Sequence, residues 1–296
     1  MRILIVGLGL IGGSLAAASR KKFPKARIIG VTRNQKALQT AKRKGWIQEG
    51  YRDLRQALVG APLRGRPLGW FQGGHTGPPL HLVILCTPVD TLKNYLKRLD
   101  RMAPKGTVVT DAGSVKGFLV RWVDRQKWRR IEFVGAHPMA GSHRRGMDAA
   151  DPHLFDGTLT FITPSVRATH ALPLRIVKNF WRKICSRIVI VSPKEHDRIT
   201  AEISHLPHLL AALLVTGVPG RLLRFSGPGF LDTTRIAQGS PEIWTPIFHE
   251  NRRELLRKLQ KFGAGLTRAK DILKKGDIGK LRALLTEAQK RRKALK

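Results

Sequence analysis

Acidic residues are scarce in this 296-residue chain: 20 Asp and Glu stand against 55 Lys and Arg, a formal net charge of +35. Cysteine is scarcer still, with Cys86 and Cys185 alone, each in apolar surroundings. Two thiols cannot build a disulfide framework. They suit a reducing, cytoplasmic compartment as small buried hydrophobes rather than as a metal pair, and no metal site is expected. Also missing is any unbroken apolar run of the roughly 18 residues that a membrane-spanning helix needs. Met1-Arg2 and the apolar stretch after it resemble a secretory signal, but glycines at 7, 9, 12 and 13 break that stretch. A strand, a glycine turn and a helix start account for it better.

What is present is a globular mix, 42% hydrophobic and 25% charged, in a chain long enough for two modest domains. The basic excess is spread along the chain and is densest from Arg252 to Lys296. Such a chain suits nucleic acid, an anionic surface or acidic small molecules, although a solvated helical face is the plainer reading.

The first half alternates β-branched runs with amphipathic segments, the pattern of a parallel sheet with crossover helices. Strands are expected at Arg2–Val6, Arg27–Thr32, Leu80–Cys86, Thr107–Thr110 and Phe133–Ala136, with Leu159–Thr163 and Arg187–Val191 completing the sheet. After Ser192-Pro193 only helical patterns follow. The expected fold is therefore α/β: a Rossmann-like doubly wound domain over 1–192, then an all-α domain over 193–296. The Gly/Pro-rich stretch 61–79 is expected to be a surface insertion.

Gly7-x-Gly9-x-x-Gly12 follows the first strand and opens a helix. Gly7 would make the tight turn, Gly9 admit a pyrophosphate and Gly12 allow close helix–strand packing. The helix N-terminus offers unpaired N–H groups to phosphate, so Gly7, Leu8, Gly9, Leu10, Ile11 and Gly12 form a dinucleotide site. NAD sites usually carry Asp or Glu at the end of the second strand, where this chain has Thr32 and then Arg33. The missing carboxylate and the guanidinium favour NADP over NAD.

Polar clusters stand where a doubly wound sheet presents its ligands: Cys86-Thr87-Pro88, Asp111 to Lys116, and Gly135 to Ser142. Each alone has a plain reading, Ser114 as a helix cap and His137 as a loop histidine. A fourth cluster, Ser204-His205-Leu206-Pro207-His208, sets a proline inside a helical pattern. There it removes an N–H and clashes with the carbonyl four residues back, at a cost of about 3 kcal/mol.

Together these clusters, with Gly229 to Arg235 and Ser240-Pro241-Glu242-Ile243-Trp244, resemble the prephenate/arogenate dehydrogenase family over nearly the whole chain. The resemblance implies oxidative decarboxylation of prephenate to 4-hydroxyphenylpyruvate, or of arogenate to tyrosine, with NADP or NAD. It implies that His137 accepts the hydrogen bond of the substrate 4-hydroxyl and that Ser114 binds the same hydroxyl. Arg235 would clamp a carboxylate, His205, His208 and Ser142 would line the pocket, and Trp244 would wall it. Cys86, Thr87 and Pro88 would lie against the cofactor. The helical domain would form a homodimer.

Two positions depart from the family pattern: His143-Arg144-Arg145 stands where Glu then Lys is common, and Leu231 replaces a basic residue. A β-hydroxyacid dehydrogenase on a similar plan would leave His137 and the Ser204–His208 segment unexplained. A nucleic-acid-binding protein on a dehydrogenase fold would account for the charge but not for the polar clusters.

Overall fold

A computed structural model describes residues 1–59, 80–142, 144–165 and 171–295. The stretch 61–79 and His143 lie outside the described residues. Residues 1–251 and 252–296 form two compact units.

The first unit opens β1 (Arg2–Val6), α1 (Leu10–Lys22), β2 (Arg27–Val31), α2 (Gln35–Arg43), β3 (Glu49–Tyr51) and α3 (Leu54–Val59). It continues β4 (Leu80–Leu85), α4 (Leu92–Met102), β5 (Thr107–Asp111), α5 (Gly117–Asp124), β6 (Ile131–Pro138) and β7 (Leu159–Pro164). Then come α6 (Ala171–Ile184), β8 (Arg187–Ile190), α7 (Pro193–Thr200), α8 (Leu206–Thr216), α9 (Pro228–Thr234) and α10 (Pro241–Glu250).

The strands form one sheet in the order β3-β2-β1-β4-β5-β6-β7-β8. Both faces of β1 are buried: Ile3 and Ile5 join the core that holds Leu15, Phe180 and Trp181, while Leu4 and Val6 join that of Leu92, Leu96 and Leu119. A strand covered on both faces reads as an apolar run, which is why the sequence shows it so plainly. The chain order reverses on either side of β1, so a crevice opens between the carboxyl ends of β1 and β4, where such sheets bind ligands.

Two details differ from the sequence expectation. The sheet is mixed, because β7 runs antiparallel to β6. The described residues of the connection from Met139 to Thr158 carry turns but no helix, and without a crossover helix a returning strand pairs antiparallel. The three-residue strand β3, Glu49-Gly50-Tyr51, was too short and too poor in β-branched residues to be seen.

No strand follows β8 among the described residues. α7 and α8 are joined by a π-helical turn, Ala201–His205, in which the Leu206 N–H reaches the carbonyl of Ala201. The wider turn is the local answer to Pro207, which cannot donate to the carbonyl four residues back. Pro193–Thr216 as a whole is long and apolar enough to cross a membrane, with 28% of its most apolar window buried. An unbroken-run criterion misses it because Glu202, His205 and His208 interrupt the stretch. Its His196, Asp197, Thr200 and His205 are buried, whereas Leu213 and Leu214 are exposed.

The second unit pairs α11 (Arg252–Lys274) with α12 (Ile278–Lys293). Gly276, at φ +61°, turns the chain, and Asp277 caps α12 by accepting from the Lys280 N–H at 2.9 Å. Lys290, Arg291, Arg292 and Lys293 fill the last turn of α12, where cations suit the negative helix end. They are solvent-exposed.

Candidate active site

The glycine turn is built from backbone. Gly7 lies at φ +94°, and a Cβ there would stand 2.7 Å from the Cys86 carbonyl oxygen. A Cβ on Gly12 would stand 1.7 Å from the Gly7 carbonyl oxygen, so α1 can approach β1 this closely only without a side chain. Around Gly9 nothing among the described residues lies within 4 Å of the same position. That openness leaves the backbone accessible at the start of α1, whose first turn carries no acidic residue. Phosphate fits there. Leu8 is buried, and Leu10 and Ile11 are half-buried.

Cys86, Thr87 and Pro88 follow β4 beside this turn, with the Cys86 N–H donating to the Val6 carbonyl at 2.7 Å. Burial pushes the Cys86 thiol pKa up, and the charge of Asp111 adds to the shift, so the group behaves as a neutral small hydrophobe. Thr87 Oγ1 accepts from Thr91 Oγ1 at 2.8 Å.

Beyond β2, Thr32 Oγ1 accepts from the Asn34 N–H at 3.3 Å. Next to it an open cavity of about 550 Å³ is lined by Arg33, Gln39, Lys42, Tyr51 and Arg52 among others. The acid in its lining, Asp53, is engaged by Arg98 at 3.0 Å. Arg52 was not singled out from sequence. It reaches the cavity because β3 pairs with β2 and brings Tyr51 alongside Val31.

At the other end of the site, β5 and β6 are neighbours, and their carboxyl ends are tied together by buried polar bonds. The Ala136 N–H donates to Asp111 Oδ1 at 3.1 Å, and Lys116 Nζ pairs with Asp111 Oδ2 with both side chains fully buried. Burial pulls the Lys116 ammonium pKa down, while Asp111 opposes the fall. The half-buried Ser114 sits in the loop between β5 and α5. It does not cap the helix: α5 starts at Gly117, and its first N–H groups are satisfied from outside the segment. Asp197 on α7 accepts from Lys116 N through Oδ1 and from Gly117 N through Oδ2, both at 2.8 Å.

His137, near the end of β6, is 7% exposed. Its Nδ1 lies 2.9 Å from Nε2 of His196, whose Nδ1 lies 2.8 Å from Asp197 Oδ1. Burial holds the His137 pKa well below the usual histidine value, with the neighbouring His196, Lys116 and His205 acting in the same direction. The imidazole is therefore neutral near pH 7, the form that accepts a proton.

His205 is 1% exposed, its Nδ1 lies 3.0 Å from Asn251 Nδ2, and burial pulls its pKa down to about 4. It is an interior residue on the far side of the helix turn from solvent. His208 is half-buried, hydrogen-bonded through Nδ1 to the Ser204 carbonyl at 3.0 Å and stacked on Trp244 with ring centroids 3.5 Å apart. His205 meets the same indole edge-on at 6.1 Å. His205, His208 and Trp244 are thus brought together.

Arg235 is exposed, on a short 3₁₀ segment (Arg235–Gln238) packed beside α8, the helix of His208. Ser142 is also exposed, and its Oγ accepts from the Arg144 N–H at 3.1 Å. Ser240 occupies the N-cap position of α10, but its hydroxyl donates to Glu242 Oε2 instead of capping the backbone. Glu242 in turn receives Arg145 at 3.2 Å. Sequence reasoning missed His196, Asp197 and Asn251. The available signal was the polar pair His196-Asp197 behind a Ser192-Pro193 helix start, too common to mark a site on its own.

Residues 79–190 match the family model "Prephenate dehydrogenase, nucleotide-binding domain", and residues 192–287 match "Prephenate dehydrogenase, dimerization domain". A prephenate dehydrogenase of Bacillus subtilis (strain 168) is 33% identical over 270 residues, covering 88% of this chain and 67% of that protein. The chain belongs to the prephenate dehydrogenase family. Among solved structures it superposes on a prephenate dehydrogenase from A. aeolicus, in complex with hydroxyphenyl propionate and NAD+, with a TM-score of 0.86. That match has 29% identity and covers 100% of this chain and 98% of the other. It superposes also on a Synechocystis arogenate dehydrogenase, TM-score 0.78 at 28% identity, with 99% of each chain covered.

Family and geometry agree on an oxidoreductase with a nucleotide-binding domain. The glycine turn, the open position at Gly9 and the cavity past β2 fit a dinucleotide.

Proposed function

We propose that this chain oxidatively decarboxylates prephenate to 4-hydroxyphenylpyruvate, with NADP as the preferred oxidant. The bound dinucleotide would supply the hydride acceptor. Gly7, Gly9, Gly12 and the start of α1 would hold its pyrophosphate, with Cys86, Thr87 and Pro88 beside it. The rest is done by side chains. His137 accepts the 4-hydroxyl proton as C4 loses hydride and the ring carboxylate leaves as CO₂. Ser114, in the loop after β5, orients that hydroxyl. Arg235 clamps a substrate carboxylate, for which a planar guanidinium offers two parallel donors. His208, stacked on Trp244, walls the pocket with Ser142, and His205 supports it from inside.

The observation that carries the reading is a buried, neutral His137 at the carboxyl end of β6, beside the Ser114 loop. A positioned base of this kind is worth about 10²–10⁴ in rate. Prephenate is favoured over arogenate because His208 is compatible with a keto acid, and no acidic residue is among those assigned to receive an ammonium. NADP is favoured over NAD by Thr32 in place of a carboxylate, with Arg33 and Arg52 both lining the adjoining cavity. A basic chain also suits two anionic small molecules, although a net charge of +35 exceeds what either site needs.

A homodimer formed by residues 193 onward completes the reading. It is supported by the matched dimerization model and by exposed Leu213, Leu214, Leu222 and Phe225. The two free thiols fit a cytoplasmic setting. Steady-state kinetics with prephenate and arogenate, each crossed with NAD and NADP, test the proposal. The highest kcat/KM is expected for prephenate with NADP, and Thr32→Asp should move the preference toward NAD. Equal use of both cofactors by wild type and variant would remove the NADP reading.

A further inference from the structure

Asp197, His196 and His137 form one hydrogen-bonded line, of which the assigned chemistry uses His137 alone. Asp197 accepts backbone N–H groups on both oxygens, Lys116 N on Oδ1 and Gly117 N on Oδ2. Two backbone N–H donors aimed at its two oxygens are the arrangement that suits an ionised, accept-only carboxylate. It lies at the N-terminus of α5, where a negative charge is stabilised. Because it only accepts, the proton in its 2.8 Å contact with His196 belongs to His196 Nδ1.

His196 is fully buried, and burial outweighs the pull of Asp197 to leave its pKa lowered. A neutral ring with its proton on Nδ1 has a lone pair on Nε2, the atom 2.9 Å from His137 Nδ1. That contact then requires His137 to donate from Nδ1. The only lone pair left on the His137 ring is on Nε2, which has no hydrogen-bond partner among the described residues.

We propose that His196 is a positioning residue that transmits the Asp197 carboxylate to His137, fixing its Nδ1–H tautomer and reserving Nε2 as the proton acceptor. The line also restrains the ring. His196 is held edge-on between His137, at a centroid distance of 5.1 Å, and Phe161, at 5.4 Å. Phe161 is the β7 residue paired with His137 across the sheet. When Nε2 takes the substrate proton, the imidazolium still donates through Nδ1 to His196, so no second proton has to move. Lys116, Asp111 and His205 are the other charged or titratable groups acting on this line. None of them replaces the His196 contact.

The role in turnover rests on the function proposed above; the tautomer does not, and the experiment separates the two. Long-range ¹H–¹⁵N NMR of the whole ¹⁵N-histidine-labelled chain, with His137→Asn and His196→Gln for assignment, reads each ring directly. At neutral pH both rings should show a protonated Nδ1 and a pyridine-type Nε2. A protonated Nε2 on either ring overturns the proposal, whether or not prephenate is turned over. In kinetics, His196→Phe keeps the ring volume but removes the acceptor. It should lower kcat at least roughly tenfold, as misoriented bases do, with dinucleotide Kd unchanged. His196→Gln, whose amide oxygen can accept from His137 Nδ1–H, should recover most of that loss. Equal losses in both variants, or a wild-type rate in His196→Phe, would show packing alone and overturn it. Should His196→Phe not fold, the wild-type spectrum still decides. Absence of prephenate turnover in the wild type would defeat the functional reading and leave the tautomer standing or falling on its spectrum.

Discussion

At the carboxyl end of β1 the site is made of backbone; at the carboxyl end of β6 it is made of side chains. The first consists of a positive-φ glycine, a second glycine with open space above it and a third pressed against a carbonyl, all within six residues. The second is assembled from β6, the loop after β5, α7 and the end of α10, with His137 and His196 59 residues apart. A backbone site must be local, because its geometry comes from consecutive dihedral angles. A side-chain site needs only spatial neighbours, so its parts scatter through the chain. The two regions should therefore fail differently when perturbed.

The largest effect is expected from Gly12→Ala. Its Cβ would sit 1.7 Å from the Gly7 carbonyl oxygen, so α1 must move away from β1. Dinucleotide Kd should rise by roughly a hundredfold, about 2.7 kcal/mol, and Tm should fall as well. Gly9→Ala sharpens the contrast, because open space there accepts a methyl group. Titration calorimetry should show weaker dinucleotide binding with Tm unchanged, and a coupled fall in both would mean that Gly9 serves packing.

Arg235→Lys should be milder. Losing the forked donor while keeping the charge should raise the prephenate KM about tenfold, about 1.4 kcal/mol, and leave dinucleotide affinity alone. An unchanged KM would remove Arg235 from the pocket.

Smallest per group, but specific to the side-chain region, is a pH effect on stability. His137, His196 and His205 are buried with lowered pKa values, about 4 for His205. Between the unfolded value of 6.5 and those folded values, the unfolded chain binds more protons. Stability is therefore full above about pH 6.5 and declines as pH falls toward about 4. Thermal melts should show Tm dropping over that window, and His205→Gln should flatten the drop. A Tm that rises on acidification would contradict the buried neutral histidines.

The same contrast explains what could be read beforehand. The inner strands of the sheet were legible because double burial makes them apolar runs, and the glycine turn because its residues are adjacent. β3 escaped for want of length, and the antiparallel β7 because direction depends on the connection, not on the strand's own residues. Pro207 was visible as a disturbance. Its resolution as a π turn, which sets where His205 and His208 fall, needed three-dimensional packing. Ser114 resembled a helix cap by position, yet the cap of α5 comes from Asp197, 80 residues downstream of Gly117. Arg52 joined the cavity past β2 only through the pairing of β3 with β2.

The proposed chemistry depends most directly on His137. Steady-state kinetics of His137→Asn with prephenate, with dinucleotide Kd measured alongside, should show kcat lowered at least about a hundredfold while Kd stays within about twofold of wild type. A variant that turns over prephenate at close to the wild-type rate would contradict it.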